Sequence, residues 1–428
     1  MVQKINDFQF GTHYHLEKYR LDNGLQIVFF PDTTVPVFAH HTWFHVGSRN
    51  EHEGITGISH FFEHLMFKET THFQEGQFVR KLEEAGGKIN AATYLDWTFY
   101  RQSLPKESFD LICELESDRM QHVILNQTQL DSEREVVANE RRFRIDNNPT
   151  GTMYEELYKH AFSTHSYHWP VIGWMHDIEN ISLDDCMTFY KQYYAPNNAT
   201  VVVVGDLDRE QTLQTIEKYY GRIPSSTLPS SAIVKEPAQA QEIIIDLELE
   251  LSSPRVLLGY KVPEATHQDI PKLELLHSLF FNGRSSRLYR RLVNQDQVAT
   301  SASGWVNHTK DPGLFIMDIT MKQGYDCQQA IDIIDQECAL LLSNLPSEKE
   351  LQKCKARLET SFWGQLRTVD DKAQSIGFHE TVHGDYRMMF EEVQQLAQIS
   401  AADLQDACKT YLHPSYRTII RATPKAAS

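Results

Sequence analysis

Along the first hundred residues the apolar positions fall into short runs separated by turn formers. Residues 19–30 hold the pair Asn23-Gly24 between two apolar runs, which predicts a β-hairpin. Residues 35–46 form a β-rich, nearly unbroken apolar run, which predicts a strand ending at Gly47-Ser48-Arg49. From Gly57 to Lys68 the pattern is helical, with Phe61, Phe62, Leu65, Met66 and Phe67 apolar on all faces but one. Further on, a helix over 76–85 is stopped by Gly86-Gly87. Two strands follow at 88–93 and 97–104, then helical periodicity over 106–123 and 128–144.

The pattern repeats. Residues 189–206 read as a helix, a turn at Pro196 and a buried strand through Val201 to Val204. Residues 408–420 have the same layout: Tyr411 stands three before Pro414 as Tyr193 stands three before Pro196, and the offset is 414 − 196 = 218 residues. Between the copies, 223–240 is rich in Pro and Ser and reads as a linker. In a chain of 428 residues this predicts two similar α/β halves, an N-terminal domain at 1–225 and a C-terminal one at 241–428, joined by 226–240.

Composition narrows the class. With 58 acidic against 41 basic residues the formal charge is −17, which argues against nucleic acid or an anionic membrane as partner. No run approaches the ~18 to 20 apolar residues of a membrane span, and residues 1–10 are polar with no apolar signal core. The six cysteines are scattered without a CxxC, as expected of incidental thiols in a reducing compartment. A soluble cytoplasmic protein is expected, or a periplasmic one if an export signal has been trimmed.

The helix at 57–68 carries the candidate chemistry. His60 and His64 are four apart, so they share one face a turn apart, the spacing at which two imidazoles grip one tetrahedral cation. Glu63 lies on the same side, placed to act as general base on a water activated there. In a chain with 20 His such a pattern arises by chance, but a helix apolar on its other faces buries these three polar groups, which is costly unless they coordinate something. Two His need at least one further protein ligand. The helix over 128–144 offers Glu133 and Glu140, seven apart on one face.

The stretches Val46-Gly47-Ser48-Arg49-Asn50-Glu51, Gly57 to Lys68, Gly86-Gly87-Lys88-Ile89-Asn90-Ala91-Ala92-Thr93 and Glu133-Arg134-Glu135-Val136-Val137-Ala138-Asn139-Glu140 together resemble the pitrilysin/insulinase peptidases, which include the mitochondrial processing peptidase. Order and spacing agree over roughly the first 200 residues. The resemblance implies His60, His64 and Glu140 as ligands of one Zn2+ per chain, Glu63 as catalytic base, and Glu133 as an acid holding a ligand imidazole. It implies Asn90, Ala91, Ala92 and Thr93 as an edge strand that pairs with an extended peptide. The implied fold is α/β (α+β): two homologous halves, each a mainly antiparallel sheet flanked by helices, closing as a clamshell.

One segment departs from that family. Self-sufficient members carry an Arg and, seven positions on, a Tyr in the second half; here Val293 and Thr300 stand in those places. Arg290 or Arg291 could replace the cation through a register shift, but no Tyr follows at a matching distance. The expectation is therefore a metal-bearing subunit of a two-chain enzyme, whose homologous partner supplies the Arg and Tyr. The alternatives are a non-catalytic assembly subunit of a larger complex and a processing peptidase for targeting sequences. His40, His41 and His45 are read as core or rim histidines, Trp97, Phe99 and Tyr100 as core, and Glu135 as a solvated charge.

Overall fold

The structure, a computed structural model, describes residues 1–229 and 233–425. The predicted linker at 226–240 crosses 230–232, and the end of the predicted C-terminal domain includes 426–428; both lie outside the described residues. The described residues pack as two units, one drawn from Met1–Arg141, Trp169–Ile233 and Gln365–Phe390, the other from Arg142–His168, Val234–Gly364 and Glu391–Ser428.

The first unit is built on seven strands: β1 (Val2–Phe10), β2 (Tyr14–Leu21), β3 (Gln26–Pro31), β4 (Val37–Phe44), β5 (Lys88–Thr93), β6 (Thr98–Pro105) and β7 (Ala199–Gly205). Their order is β1-β2-β3-β7-β4-β6-β5, antiparallel except for the β3–β7 pair. The Asn23-Gly24 turn joins β2 to β3 as its sequence predicts, with Gly24 at φ +91°. β1 is an additional edge strand formed by the polar stretch at the N-terminus.

Alternation along β4 assigns the two faces of this sheet. His41 and Trp43 meet the helix Val369–Val382: His41 Nε2 lies 2.9 Å from Asp370 Oδ1, and a Cβ on Gly377 would fall 1.9 Å from Trp43 Nε1, so that glycine admits the indole. His40, Thr42 and Phe44 point the other way. There Thr42 donates to Glu116 at 2.9 Å on a helix spanning Phe109–His122, and Phe44 packs on Tyr100 and Tyr194. His40 and His41 are fully buried and His45 bonds Thr200, which makes them packing residues.

The second unit holds β8 (Ile243–Leu249), β9 (Arg255–Val262), β10 (Ala299–Val306), β11 (Gly313–Met321) and β12 (Arg417–Pro424), ordered β10-β11-β9-β12-β8. That is the order β5-β6-β4-β7-β3 of the first sheet, including the single parallel pair, β12 with β8. The repeat extends to helix caps. Ser182 and Asp185 form a capping box before β7, and Ser400 and Asp403 form one before β12, at the same offset of 400 − 182 = 218 residues. Helices Ile270–Phe281, Cys327–Ser343 and Ala401–Tyr411 pack one apolar core with this sheet. Among the described residues no helix is long and apolar enough to cross a membrane.

Candidate metal centre

Two helices carry the predicted donors: α1 (Ile58–Leu65) and, later in the chain, α2 (Gln127–Arg141). On α1, Ile58, Phe61, Phe62 and Leu65 are fully buried, which leaves one polar stripe holding His60, Glu63 and His64. The start of α1 is fixed from outside the helix. Glu51 accepts from Gly57 N and Ser59 N, both at 2.8 Å, so its carboxyl caps amides that the helix itself cannot satisfy. Burial drives that carboxyl up to about 8 despite the two amide donors. Gly57, at φ +89°, lies so close to the loop at Gly173 that a Cβ would fall 2.3 Å from Ile172 O. Asp177 ties down the segment that leads into α1, accepting from Thr56 Oγ1 at 2.6 Å and from Gly54 N and Thr56 N at 3.2 Å.

The structure brings His60, His64 and Glu140 together, one donor atom from each lying within 4.8 Å of the others. Glu140 Oε2 is 3.7 Å from His60 Nε2 and 3.4 Å from His64 Nε2. Donors bonded at 2.0–2.1 Å to a tetrahedral zinc stand about 3.3 Å apart, so the separations fit such an ion with little movement. Two imidazoles and a carboxylate, with a fourth position left for water, are a donor set of catalytic zinc sites.

Glu133, two turns before Glu140 on α2, takes the other side of the same ring. Its Oε1 accepts from His64 Nδ1 at 2.8 Å, and its Oε2 is 2.8 Å from Lys68 Nζ. Burial alone would raise the Glu133 carboxyl, but His64 and Lys68 pull it below its ordinary value. Burial likewise opposes a charge on His64, and Glu133 and Glu140 outweigh it, lifting the imidazole to about 9. Lys68 also pairs with Glu75 at 2.8 Å.

Glu63 lines a cavity of roughly 490 Å3 together with His64, Phe67, Val79, Ile89, Asn90 and Glu133. β5, carrying Asn90, Ala91, Ala92 and Thr93, is the outermost strand on this side of the sheet and pairs only with β6 among the described residues. Asn90 is exposed, and Glu135 is exposed on the far face of α2. Tyr100 donates to Phe62 O at 2.7 Å and so anchors α1 from beneath. Glu51, Gly57, Lys68, Tyr100 and Asp177 thus position the donors. Glu51, Gly57 and Lys68 stand within the stretches that carry the resemblance and Tyr100 reads as core, but their positioning roles come from tertiary contacts alone, and Asp177 has no signature in the sequence.

In the second unit, Val293 lies in the helical turn Arg290–Gln295 and Thr300 lies on β10, where its hydroxyl donates to Thr320 O at 3.2 Å. Arg291 is held by Glu337 at 2.9 Å and Asp296 at 3.1 Å. The helix Ile270–Phe281 carries a single histidine, His277.

Residues 29–173 match the family model described as insulinase (peptidase family M16), and residues 180–358 match that of the peptidase M16 inactive domain. The chain is 31% identical to zinc protease PqqE of Helicobacter pylori over 97% of its own length and 96% of that protein's. It is 21% identical to the mitochondrial-processing peptidase subunit beta of Blastocladiella emersonii, covering 95% of this chain and 88% of that one. The crystal structure of a protease from Helicobacter pylori superposes with a TM-score of 0.91 at 30% identity, over 96% of this chain and 99% of that one.

Proposed function

The chain belongs to peptidase family M16, the insulinase family, and on that premise we propose that it is a zinc-dependent endopeptidase acting on peptides or unfolded segments. The observation that carries this reading is the double use of one imidazole. His64 spends Nδ1 on Glu133 and turns Nε2 toward Glu140 and His60, while Glu63 lines the adjoining cavity.

In this reading His60, His64 and Glu140 hold one zinc ion at this centre, and Glu133 holds His64 in the tautomer that leaves Nε2 a donor. Zinc bound there supplies Lewis acidity, which lowers the pKa of water and polarises the scissile carbonyl. Glu63 takes the proton from the attacking water at its carboxylate and passes it to the leaving amine. The substrate lies extended along β5, pairing its backbone with Asn90 to Thr93, with the Asn90 side chain reaching the peptide.

The developing oxyanion calls for a donor beyond the metal. Val293 has no donor, Thr300 is shorter than a phenol and directs its hydroxyl to Thr320, and Arg291 is committed to Glu337 and Asp296. We infer that a homologous partner chain contributes an Arg and a Tyr, so that the active species is a heterodimer. The 1–225 and 241–428 halves are proposed as its two homologous domains. All six cysteines are free and buried, which supports a reducing, cytoplasmic setting.

The test is the cleavage rate of unstructured peptides by the purified chain alone and after mixing with a homologous chain from the same cell that lacks the His-x-x-Glu-His helix. The chain alone is expected to be slow and the mixture fast. Equal rates would sink the two-chain reading, and no cleavage in either would sink the peptidase reading.

A further inference from the structure

Away from the His60–His64–Glu140 centre, a second group of metal-ligating side chains converges. His72, Asp118 and His122 place one donor atom each within 4.8 Å of one another. His72 Nδ1 lies 2.5 Å and His122 Nδ1 2.8 Å from the same oxygen, Asp118 Oδ1. The two imidazoles meet edge to face, with centroids 4.8 Å apart.

Several interactions hold this arrangement in place. Asp118 and His122 are one turn apart on the helix Phe109–His122, hence on one face. His72 comes from a separate segment, and that segment is stitched to the helix end by backbone bonds. Thr71 N donates to His122 O at 3.1 Å, Ile124 N donates to Glu69 O at 2.9 Å, and Thr70 bridges Val123. The Thr70 hydroxyl then closes the turn by accepting from His72 N at 3.2 Å and Phe73 N at 2.9 Å. Both ring-bearing backbones are therefore set before any ligand arrives, which lowers the ordering cost of binding.

The carboxylate is the second observation. Asp118 is 7% exposed, and its Oδ2 is buried with no hydrogen-bond partner. A buried carboxylate oxygen left unsatisfied is costly, and a cation drawn to the carboxylate as a whole, held beside Oδ1 by the two imidazoles and within reach of Oδ2, offsets that cost. Two imidazoles exclude the hard, oxygen-seeking Mg2+ and Ca2+ and favour a divalent first-row transition ion. His72 and His122 reach solvent, so water can complete the coordination.

We propose that His72, Asp118 and His122 form an accessory site for a divalent transition-metal ion of the zinc, copper or nickel class, separate from the His60–His64–Glu140 centre. Bound there, the ion clamps the turn that follows Lys68 onto the end of the helix. Binding takes each ring to the tautomer that carries its proton on Nε2, which frees for the ion the lone pair of the Nδ1 now directed at Asp118 Oδ1.

The experiment is equilibrium dialysis of the full chain in buffered zinc, with bound metal counted by mass spectrometry. Three proteins are compared: the wild type, the double variant H72A/H122A and the near-isosteric D118N. The wild type is expected to hold about one zinc per chain more than either variant, and millimolar Mg2+ is expected not to displace it. H64A, which strikes the other centre, is expected to retain this accessory ion. Equal zinc content in the wild type and in folded D118N would overturn the proposal. So would loss of the extra ion in H64A together with its retention in H72A/H122A.

Discussion

His64 Nδ1 lies 2.8 Å from Glu133 Oε1, and this one bond decides which nitrogen of the ring faces Glu140. His64 itself and Lys68, 2.8 Å from the other Glu133 oxygen, hold that carboxyl below its ordinary value against burial and so keep it an acceptor. Replacing Glu133 by Gln removes the charge and frees the ring to turn. Zinc affinity is expected to fall about 10- to 100-fold, measured by competition with a chromophoric chelator.

Glu63 lines the cavity without belonging to the donor triad. Glu63→Gln is expected to leave metal content unchanged and to lower kcat by about two to four orders of magnitude, the usual weight of a general base. Wild-type turnover in this variant would remove Glu63 from that role.

The geometry of α1 depends on a close backbone approach. Gly57 sits at φ +89° with Ile172 O where a Cβ would go. Gly57→Ala is expected to cost roughly 2–4 kcal/mol in denaturant unfolding and to loosen the metal centre with it. Gly54→Ala, also at positive φ but with open space around it, tests the steric part. It is expected to cost only the backbone strain, about 1 kcal/mol.

In the second unit, His308 Nε2 pairs with Glu274 Oε1 at 2.8 Å. Burial pushes the Glu274 carboxyl up, but His277 and His308 pull it down to about 2. Burial pushes His308 down, and Glu274 more than restores it, so its imidazole is raised. A lowered acid stabilises the fold above its unfolded pKa and loses that contribution as pH falls toward 2. A raised imidazole stabilises the fold below its unfolded value and loses it as pH rises past the folded one. The melting penalty of Glu274→Gln is therefore expected to be largest near pH 5–6, shrinking on both sides. A penalty independent of pH would contradict the pairing.

Legibility in the sequence falls with the distance between partners along the chain. His60, Glu63 and His64 are legible because helical spacing alone places them together. Glu133 and Glu140 are equivalent by spacing, and only tertiary packing puts one on each side of the His64 ring. The repeat at 218 residues was visible in Pro196 and Pro414, and the capping boxes at Ser182 and Ser400 carry it further. β1 is not legible in the sequence, because an edge strand of mostly polar residues shows little apolar alternation. The packing of 142–168 and 365–390 is equally illegible, since an amphipathic helix does not specify which sheet it covers. Glu51 caps through backbone amides and Asp177 tethers through two amides and the Thr56 hydroxyl, partners that leave no chemical pattern in the sequence.

In the proposed mechanism three side chains from α1 and α2 share one ion. The most direct measurement is a zinc-edge anomalous difference map from crystals of the zinc-loaded chain. A peak about 2.0–2.2 Å from His60 Nε2, His64 Nε2 and a Glu140 oxygen is the expected result. A zinc peak elsewhere with none between these three donors, or one there that leaves Glu140 unbound, would contradict it.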